Sequence, residues 1–352
     1  MIVLGTDMHK VSHTVAAIAA TTGELVGEKT IQVGEAGFIA VFDWARSLGE
    51  DRVWALEDCR HVSGSFERFL IISGERVVRV ATKLMADARR VARDRGKSDR
   101  IDALAVARAA LREGVDALPS AQLAGIELDI RLLVDHRERL VRSRVAINND
   151  LLWHLHDLWP ELKLPGSALV SKKWSTRIAR RLARAEQTAR VRIARDELRR
   201  LRELTIAARE LEEEIAQLVA QVAPQLLQQP GFGPLTAAKL LGEVAGVQRF
   251  PTEAKLARAA GVAPIPVSSG KTNRHRLDRG GNRQLNTAIH RIALTRARCD
   301  PETQDYLARK RAEGKTGLEA MRCLKRHLAR RIWHLLQPPH PVAETPPSPS
   351  IS

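Results

Sequence analysis

Apolar and polar positions follow three different rhythms along this chain. Over residues 1 to about 115, short runs rich in β-branched residues read as strands at Ile2–Thr6, Thr14–Ala19, Leu25–Gln32, Val53–Leu56 and Arg76–Val80. Helical spacing fills the gaps at Ala36–Ser47, Ser63–Ser73 and Lys83–Arg95. From about 120 the pattern becomes long and helical, with Leu123, Ile126, Leu132, Leu133, Leu140 and Val141 apolar. It breaks around Trp159-Pro160 and Pro165-Gly166, then resumes through Leu198, Leu201, Leu204, Leu211, Ile215, Leu218 and Val222. Leu204, Leu211 and Leu218 are seven apart, which predicts an antiparallel helical hairpin or coiled coil.

The third rhythm starts at Gln229-Pro230-Gly231-Phe232-Gly233-Pro234, read as a helix, a Gly-bearing turn and a second helix from Pro234. A helix Glu253–Ala260 and a loop Gly261–Gly270 follow. Four segments result: an α/β domain over 1–118, a helical hairpin or coiled-coil region over 119–226, a mostly helical domain over 227–337, and a Pro-rich disordered tail over 338–352. In the first, Thr21-Thr22-Gly23 marks a turn between the second and third strands. Three antiparallel strands followed by strands alternating with helices predict an RNase H-like sheet.

Charge narrows the partners. The 352 residues carry a formal +16, which favours a polyanion such as nucleic acid. Between Ser171 and Glu203, Lys and Arg outnumber Asp and Glu 12 to 4, suiting a helix along a phosphate backbone or a solvated charged face. Lys271, Arg274, His275, Arg276, Arg279 and Arg283 form a second basic run against Asp278. Gly231 and Gly233 flank a helix N-terminus whose N–H groups suit a phosphate, so the turn is a helix-hairpin-helix candidate. Aromatics at 4% argue against a base-stacking platform. Three scattered cysteines without zinc spacing fit a reducing cytosol. Asp7, His9 and Lys10 interrupt the first apolar run, so no leader is expected, and no apolar stretch reaches membrane-spanning length.

Four acids carry the candidate chemistry. Asp7 ends the first apolar run and Glu57 ends another, Val53-Trp54-Ala55-Leu56-Glu57. Asp99 and Asp102 stand one helical turn apart at the start of a helix and share a face. Carboxylate oxygens suit hard divalent cations. Two such ions, roughly 4 Å apart, activate an attacking oxygen and stabilise a leaving one in phosphoryl transfer. Asp58 rivals Glu57, because alternation alone does not say which face is buried. A second chemistry is suggested by Ser268-Ser269-Gly270-Lys271, where a serine beside glycine precedes many arginines. Serine needs a base or metal to attack phosphorus, and from the local sequence alone such a segment is more often an ordinary flexible loop.

The stretches Gly5-Thr6-Asp7-Met8-His9-Lys10, Leu56-Glu57-Asp58-Cys59-Arg60 and Lys97-Ser98-Asp99-Arg100-Ile101-Asp102-Ala103 resemble the DEDD motif of insertion-sequence transposases of the IS-one-ten type. Pro230-Gly231-Phe232-Gly233, Gly261-Val262-Ala263-Pro264, Ser268-Ser269-Gly270-Lys271 and Asn273 to Arg283 continue it in order. Thr6 and the Asp-Cys-Arg after Glu57 depart from the family pattern. The resemblance implies a RuvC-like, RNase H-fold domain whose Asp7, Glu57, Asp99 and Asp102 bind Mg²⁺, as two ions, with Mn²⁺ as the alternative. It implies a C-terminal domain whose serine, by position Ser269 with Ser268 as fallback, attacks DNA and forms a phosphoserine link. Lys271, Arg274, Arg276, Arg279 and Arg283 would contact nucleic acid. Donor and target DNA, a structured guide RNA, a dimer or tetramer with a site shared between subunits, and a bacterial cytoplasmic location at the nucleoid are also implied.

Two other classes remain open at the level of sequence. A RuvC-like metal-dependent endonuclease using water would leave free ends with no covalent protein. A non-enzymatic nucleic-acid-binding protein would carry the acids as surface or capping residues.

Overall fold

A computed structural model describes residues 1–57, 64–82, 84–85, 88, 98–120, 125–166, 168–269, 272–278 and 280–338. Asp58, Gly270, Lys271, Arg279, most of the Lys83–Arg95 segment and the tail from 339 lie outside these residues. The chain forms two compact units. One combines Met1–Leu123, Gly246–Ile289 and Glu302–Ser352; the other combines Ala124–Ala245 and His290–Pro301.

The first unit opens with a five-stranded sheet: β1 (Ile2–Met8), β2 (Ser12–Ala19), β3 (Leu25–Gln32), β4 (Arg52–Glu57) and β5 (Val77–Val80), in the order β3-β2-β1-β4-β5. β1 pairs antiparallel with β2 and parallel with β4, and β4 runs parallel to β5. The strands run close to the expected apolar runs. β1 is buried from Val3 to Met8, as a central strand covered on both faces must be, whereas β3 at the edge alternates exposed and half-buried residues.

Two cores sandwich the sheet. Leu4, Met8, Val15, Ala17, Trp54, Leu56 and Val77 meet the helices α1 (Glu35–Leu48) and α2 (Gly64–Ile72). Val3, Ala16, Ile18, Val53, Ala55, Val78 and Val80 meet α3 (Asp99–Glu113). Ala103, Ala105, Ala107, Ala109 and Ala110 are all buried, so α3 presents small side chains and approaches closely. A Cβ on Gly5 would lie 2.2 Å from the Ala103 carbonyl oxygen and 2.3 Å from the Ala107 nitrogen. Only hydrogen fits between β1 and α3. Under α2, Glu67 and Arg79 form a buried two-point ion pair linking that helix to β5.

The second unit is built on α4 (Ile126–Leu158), α5 (Lys172–Arg184) and α6 (Ala189–Val222). Arg137 pairs with Glu212 at 2.7 Å, His154 with Glu197 at 3.6 Å, and Asp157 with Arg190, so α4 and α6 run antiparallel. The seam of α6 is Val191, Ala194, Leu198, Leu201, Thr205, Ala208, Ile215 and Val219, spaced by threes and fours apart from one step of seven after Ala208. The heptad Leu204, Leu211 and Leu218 is displaced one residue from that seam and is half-buried along its flank. Leu132, expected inward, is 57% exposed, while Ile130 and Val134 turn inward. After α7 (Pro224–Leu227) and the Gly231 turn, α8 (Pro234–Val244) starts at the expected proline.

The first unit resumes with α9 (Glu253–Ala259), β6 (Ile265–Ser269) and β7 (Thr272–Arg276). The expected loop Gly261–Gly270 is therefore strand over half its length: β6 and β7 form an antiparallel hairpin in which Ser269 faces Thr272. Pro264 and Pro266 disguised it, because proline argues against a strand except in a ribbon with free edges. Helix α10 (Arg283–Cys299) passes from the first unit to the second, and α11 (Pro301–Ala312) and α12 (Gly317–Leu335) follow.

Gly5→Ala should lower the stability of the apo protein by roughly 1–3 kcal/mol, the usual range for overpacking, and weaken divalent-ion binding along with it. Thermal melts with and without Mn²⁺ check both. An unchanged melt would mean that the close approach is not required.

Candidate active site

Strand pleat and register assemble the four acids. Side chains alternate along a strand, so Val3, Gly5 and Asp7 of β1 point toward α3, as do Val53, Ala55 and Glu57 of β4. Thr6 pairs with Leu56, which sets Asp7 and Glu57 side by side at the C-terminal ends of neighbouring parallel strands. This register gives Glu57 the same face as Asp7. The first turn of α3 sits over that face and carries Asp99 and Asp102. Ser98 caps the helix by accepting from the Ile101 N–H at 3.3 Å. The positive end of the helix dipole favours both acids there.

Asp7 is 5% exposed and Asp102 7%, while Asp99 is exposed and Glu57 half-buried. A fifth residue joins them. His9 Nε2 lies 3.1 Å from Asp7 Oδ2 and 3.3 Å from Asp99 Oδ1. Asp7, His9 and Asp99 offer three ligand atoms within 4.8 Å of one another. Glu57 and Asp102 are not in that tight group, though the charge of Asp102 is felt at Asp7. His9 lies in the same sequence motif as Asp7, which by itself assigns it no role. The available signal was its spacing of two from Asp7, which keeps both on one side of an extended segment.

The carboxyl of Asp7 is pushed above the ordinary carboxylate value, first by burial and then by the charges of Asp102 and Asp99; His9 pulls it back. The folded protein therefore holds this proton more tightly than the unfolded chain. Stability gained below the ordinary value is lost as pH rises through the raised one. Above that window, ionised Asp7 is a standing cost. A divalent cation held there would offset that cost by supplying positive charge beside the buried carboxylate. The donor set fits such an ion: carboxylate oxygens suit Mg²⁺ and Mn²⁺, and an imidazole favours Mn²⁺ of the two. His9 Nε2 stands where a cation between Asp7 and Asp99 would, so it must either ligate as neutral imidazole or swing out. Its side chain is 52% exposed and free to do so.

The other expected site residues are spread over both units. Ser269 ends β6, and Ser268 pairs with Asn273. Arg274 and Arg276 lie on β7, and Arg283 opens α10 and is exposed. Lys271 and Arg279 fall outside the described residues. No extensive packing joins the described hairpin to β1, β4 or α3, although all belong to the first unit. Gly231 and Gly233 lie in the second unit. Gly231, at φ 81, backs onto α10, where a Cβ would meet Arg296 Cγ at 2.8 Å. Packing already requires that glycine. Gly233 at the N-terminus of α8 has open space around it.

A transposase family model of the DEDD IS110 type matches residues 4–160, and the model of the transposase IS116/IS110/IS902 family matches residues 223–308. The chain is 26% identical to a 44.8 kDa protein of insertion element IS116 from Streptomyces clavuligerus, over 98% of this chain and 96% of that protein. It is 39% identical to a protein of insertion element IS110 from Streptomyces coelicolor, over 33% of this chain and 29% of the relative. A protein of insertion element IS900 from Mycobacterium paratuberculosis is 34% identical over 32% of this chain and 29% of its own length. The chain belongs to the IS110 family of transposases, and its activity is DNA processing.

Asp7→Asn should raise the melting temperature of the apo protein at neutral pH and remove the stabilisation given by Mn²⁺. For the unsubstituted protein that stabilisation is about 2.7 kcal/mol at a hundredfold excess over Kd. Melting curves at several Mn²⁺ concentrations check this. A lower apo melting temperature with the ion response intact would count against Asp7 as a ligand.

Proposed function

We propose that the chain moves an insertion sequence by breaking and rejoining DNA through a serine nucleophile, with a divalent-metal carboxylate site acting on the same phosphate. The observation that carries this reading is the convergence of Asp7, Glu57, Asp99 and Asp102 on one face of the sheet, with His9 bridging two of them. The sheet order, with three antiparallel strands and then two parallel ones, supports an RNase H-like fold of the RuvC type. The three-four seam of α6 against antiparallel α4 supports a coiled coil.

In this mechanism Asp7, Glu57, Asp99 and Asp102 would hold two Mg²⁺ ions, or Mn²⁺ in their place, which when bound would supply charge stabilisation at the phosphate and activate an attacking hydroxyl. Ser269 Oγ forms the new phosphoester bond, its proton passes to solvent or a nearby base, and the DNA 3′ oxygen leaves. The second strand exchange reverses the link and restores the serine. Arg274, Arg276 and Arg283, with Lys271 and Arg279, neutralise the developing charge and the flanking phosphates.

In this reading the site is composite, with the serine of one subunit meeting the acids of another in a dimer or tetramer. The basic face of α5, with Lys172, Lys173, Arg177, Arg180, Arg181 and Arg184, suits a phosphate backbone, in donor and target DNA or in a structured guide RNA. Among the described residues no helix is long and apolar enough to cross a membrane. A cytoplasmic protein gathered at the nucleoid is the setting this activity requires.

Ser269→Ala should abolish the protein–DNA adduct seen after denaturing electrophoresis, and Asp7→Ala should abolish strand exchange by at least ~100-fold, the scale of losing a major electrostatic contribution. An adduct that persists in Ser269→Ala and vanishes in Ser268→Ala would move the nucleophile by one residue. Free cleaved ends without adduct in the unsubstituted protein would replace the serine by water. Sequencing RNA that copurifies from cells carrying the element tests the guide; its absence would remove it.

A further inference from the structure

We infer that the cavity at the root of the β6–β7 hairpin seats a backbone phosphate of a nucleic-acid strand, held by the buried ammonium of Lys325. The cavity, about 720 Å³, lies within the first unit between the 261–264 loop, the end of β7, and helices α11 and α12. The inference takes from the transposase reading only the identity of the strand.

Lys325 on α12 lines this cavity and is 8% exposed. Its Nζ donates to Asn286 Oδ1 at 2.7 Å. Asn286 in turn donates to the Ala260 carbonyl at 2.8 Å, which fixes its amide oxygen toward the lysine. A neutral amide leaves the positive charge uncompensated, whereas a buried lysine ordinarily meets a carboxylate. The acids of the wall are engaged elsewhere: Asp278 accepts from the Gly280 N–H at 2.8 Å, Glu313 pairs with Lys310 and Lys315, and Glu319 closes the capping box with Thr316. Burial holds the Lys325 ammonium below its ordinary pKa.

The rest of the wall points to a nucleotide rather than free phosphate. Arg276, Arg322, Arg326 and Arg330 line the same wall, where Glu319 pairs with Arg322 and Glu253 with Arg326 and Arg330, so two acids offset part of the four charges. Tyr306, the single tyrosine of the chain, stacks on His327 with ring centroids 5.9 Å apart and an angle of 18°. That stack gives the cavity an aromatic surface on which a base can lie. Ile265 and Arg276 pair at the hairpin root, four residues from Ser269 at its tip. Four steps of extended chain span about 13 Å, roughly four nucleotides along one strand of a duplex. A strand that follows the hairpin would therefore reach from the seat to the tip that carries Ser269.

Cys323 lines the cavity and is half-exposed, while Cys299, in the second unit, is exposed and serves as an internal control. The test measures iodoacetamide alkylation of both cysteines in the full chain by peptide mass spectrometry, in EDTA, with a 12-nucleotide single-stranded DNA or with inorganic phosphate. The oligonucleotide should slow Cys323 at least ~5-fold and leave Cys299 unchanged. Lys325→Met should lose this protection without a lower melting temperature, and Lys325→Arg should keep it. Protection that survives in Lys325→Met, that only inorganic phosphate provides, or that never occurs overturns the assignment. So does a Lys325→Met protein that melts well below the unsubstituted one, which would mark the lysine as structural. The assay uses neither Ser269 nor metal, so its failure leaves strand exchange to be judged separately.

Discussion

Helix α3 lies so close to β1 that one methyl group on Gly5 would meet the Ala103 carbonyl oxygen at 2.2 Å. Much else follows from that contact. A helix packed through larger side chains would stand further from the sheet, and its first turn would carry Asp99 and Asp102 away from Asp7. The alanines at 103, 105, 107, 109 and 110 give up side-chain volume on the helix as Gly5 does on the strand. The other end of α3 is tied down as well. Glu113 pairs with Arg258 of α9 at 2.7 Å, linking the helix that bears two acids to the segment that leads into the serine hairpin. An exposed pair of this kind contributes only about 0–1 kcal/mol; its consequence is placement.

The site works against the fold that holds it. Asp7 is buried beside Asp102 and near Asp99, which makes its charge unfavourable. His9 and the α3 dipole relieve part of that, and a divalent ion would relieve more. The same physical theme recurs at Lys325, a buried cation facing a neutral amide. One site concentrates negative charge and the other positive charge, and a divalent metal and a phosphate would complement them in turn.

Much of this was legible in the residues, for physical reasons. Strand periodicity marked β1 to β5 because a sheet covered on both faces leaves continuous apolar runs, and the acids stood out where those runs end. Pro234 marked the start of α8. Other features were hidden. A glycine inside a strand signals a close approach without naming what approaches, so Gly5 waited for α3. The leucine heptad drew the eye to Leu204, Leu211 and Leu218, yet the seam uses the smaller Ala194, Thr205 and Ala208 one register away. Prolines masked the β6–β7 hairpin. His9 was overlooked because its partners Asp7 and Asp99 are brought together only by tertiary packing. Discontinuous assembly of the first unit from three segments leaves no local trace either.

If seating α3 on Gly5 brings acids from three elements together as a metal centre, anomalous diffraction from crystals grown with Mn²⁺ will show it. The expected result is an anomalous peak within bonding distance of Asp7 and of at least one carboxylate oxygen from the first turn of α3, with Glu57 facing the same ion or its neighbour. A peak elsewhere, or none at Asp7 at saturating Mn²⁺, would contradict it.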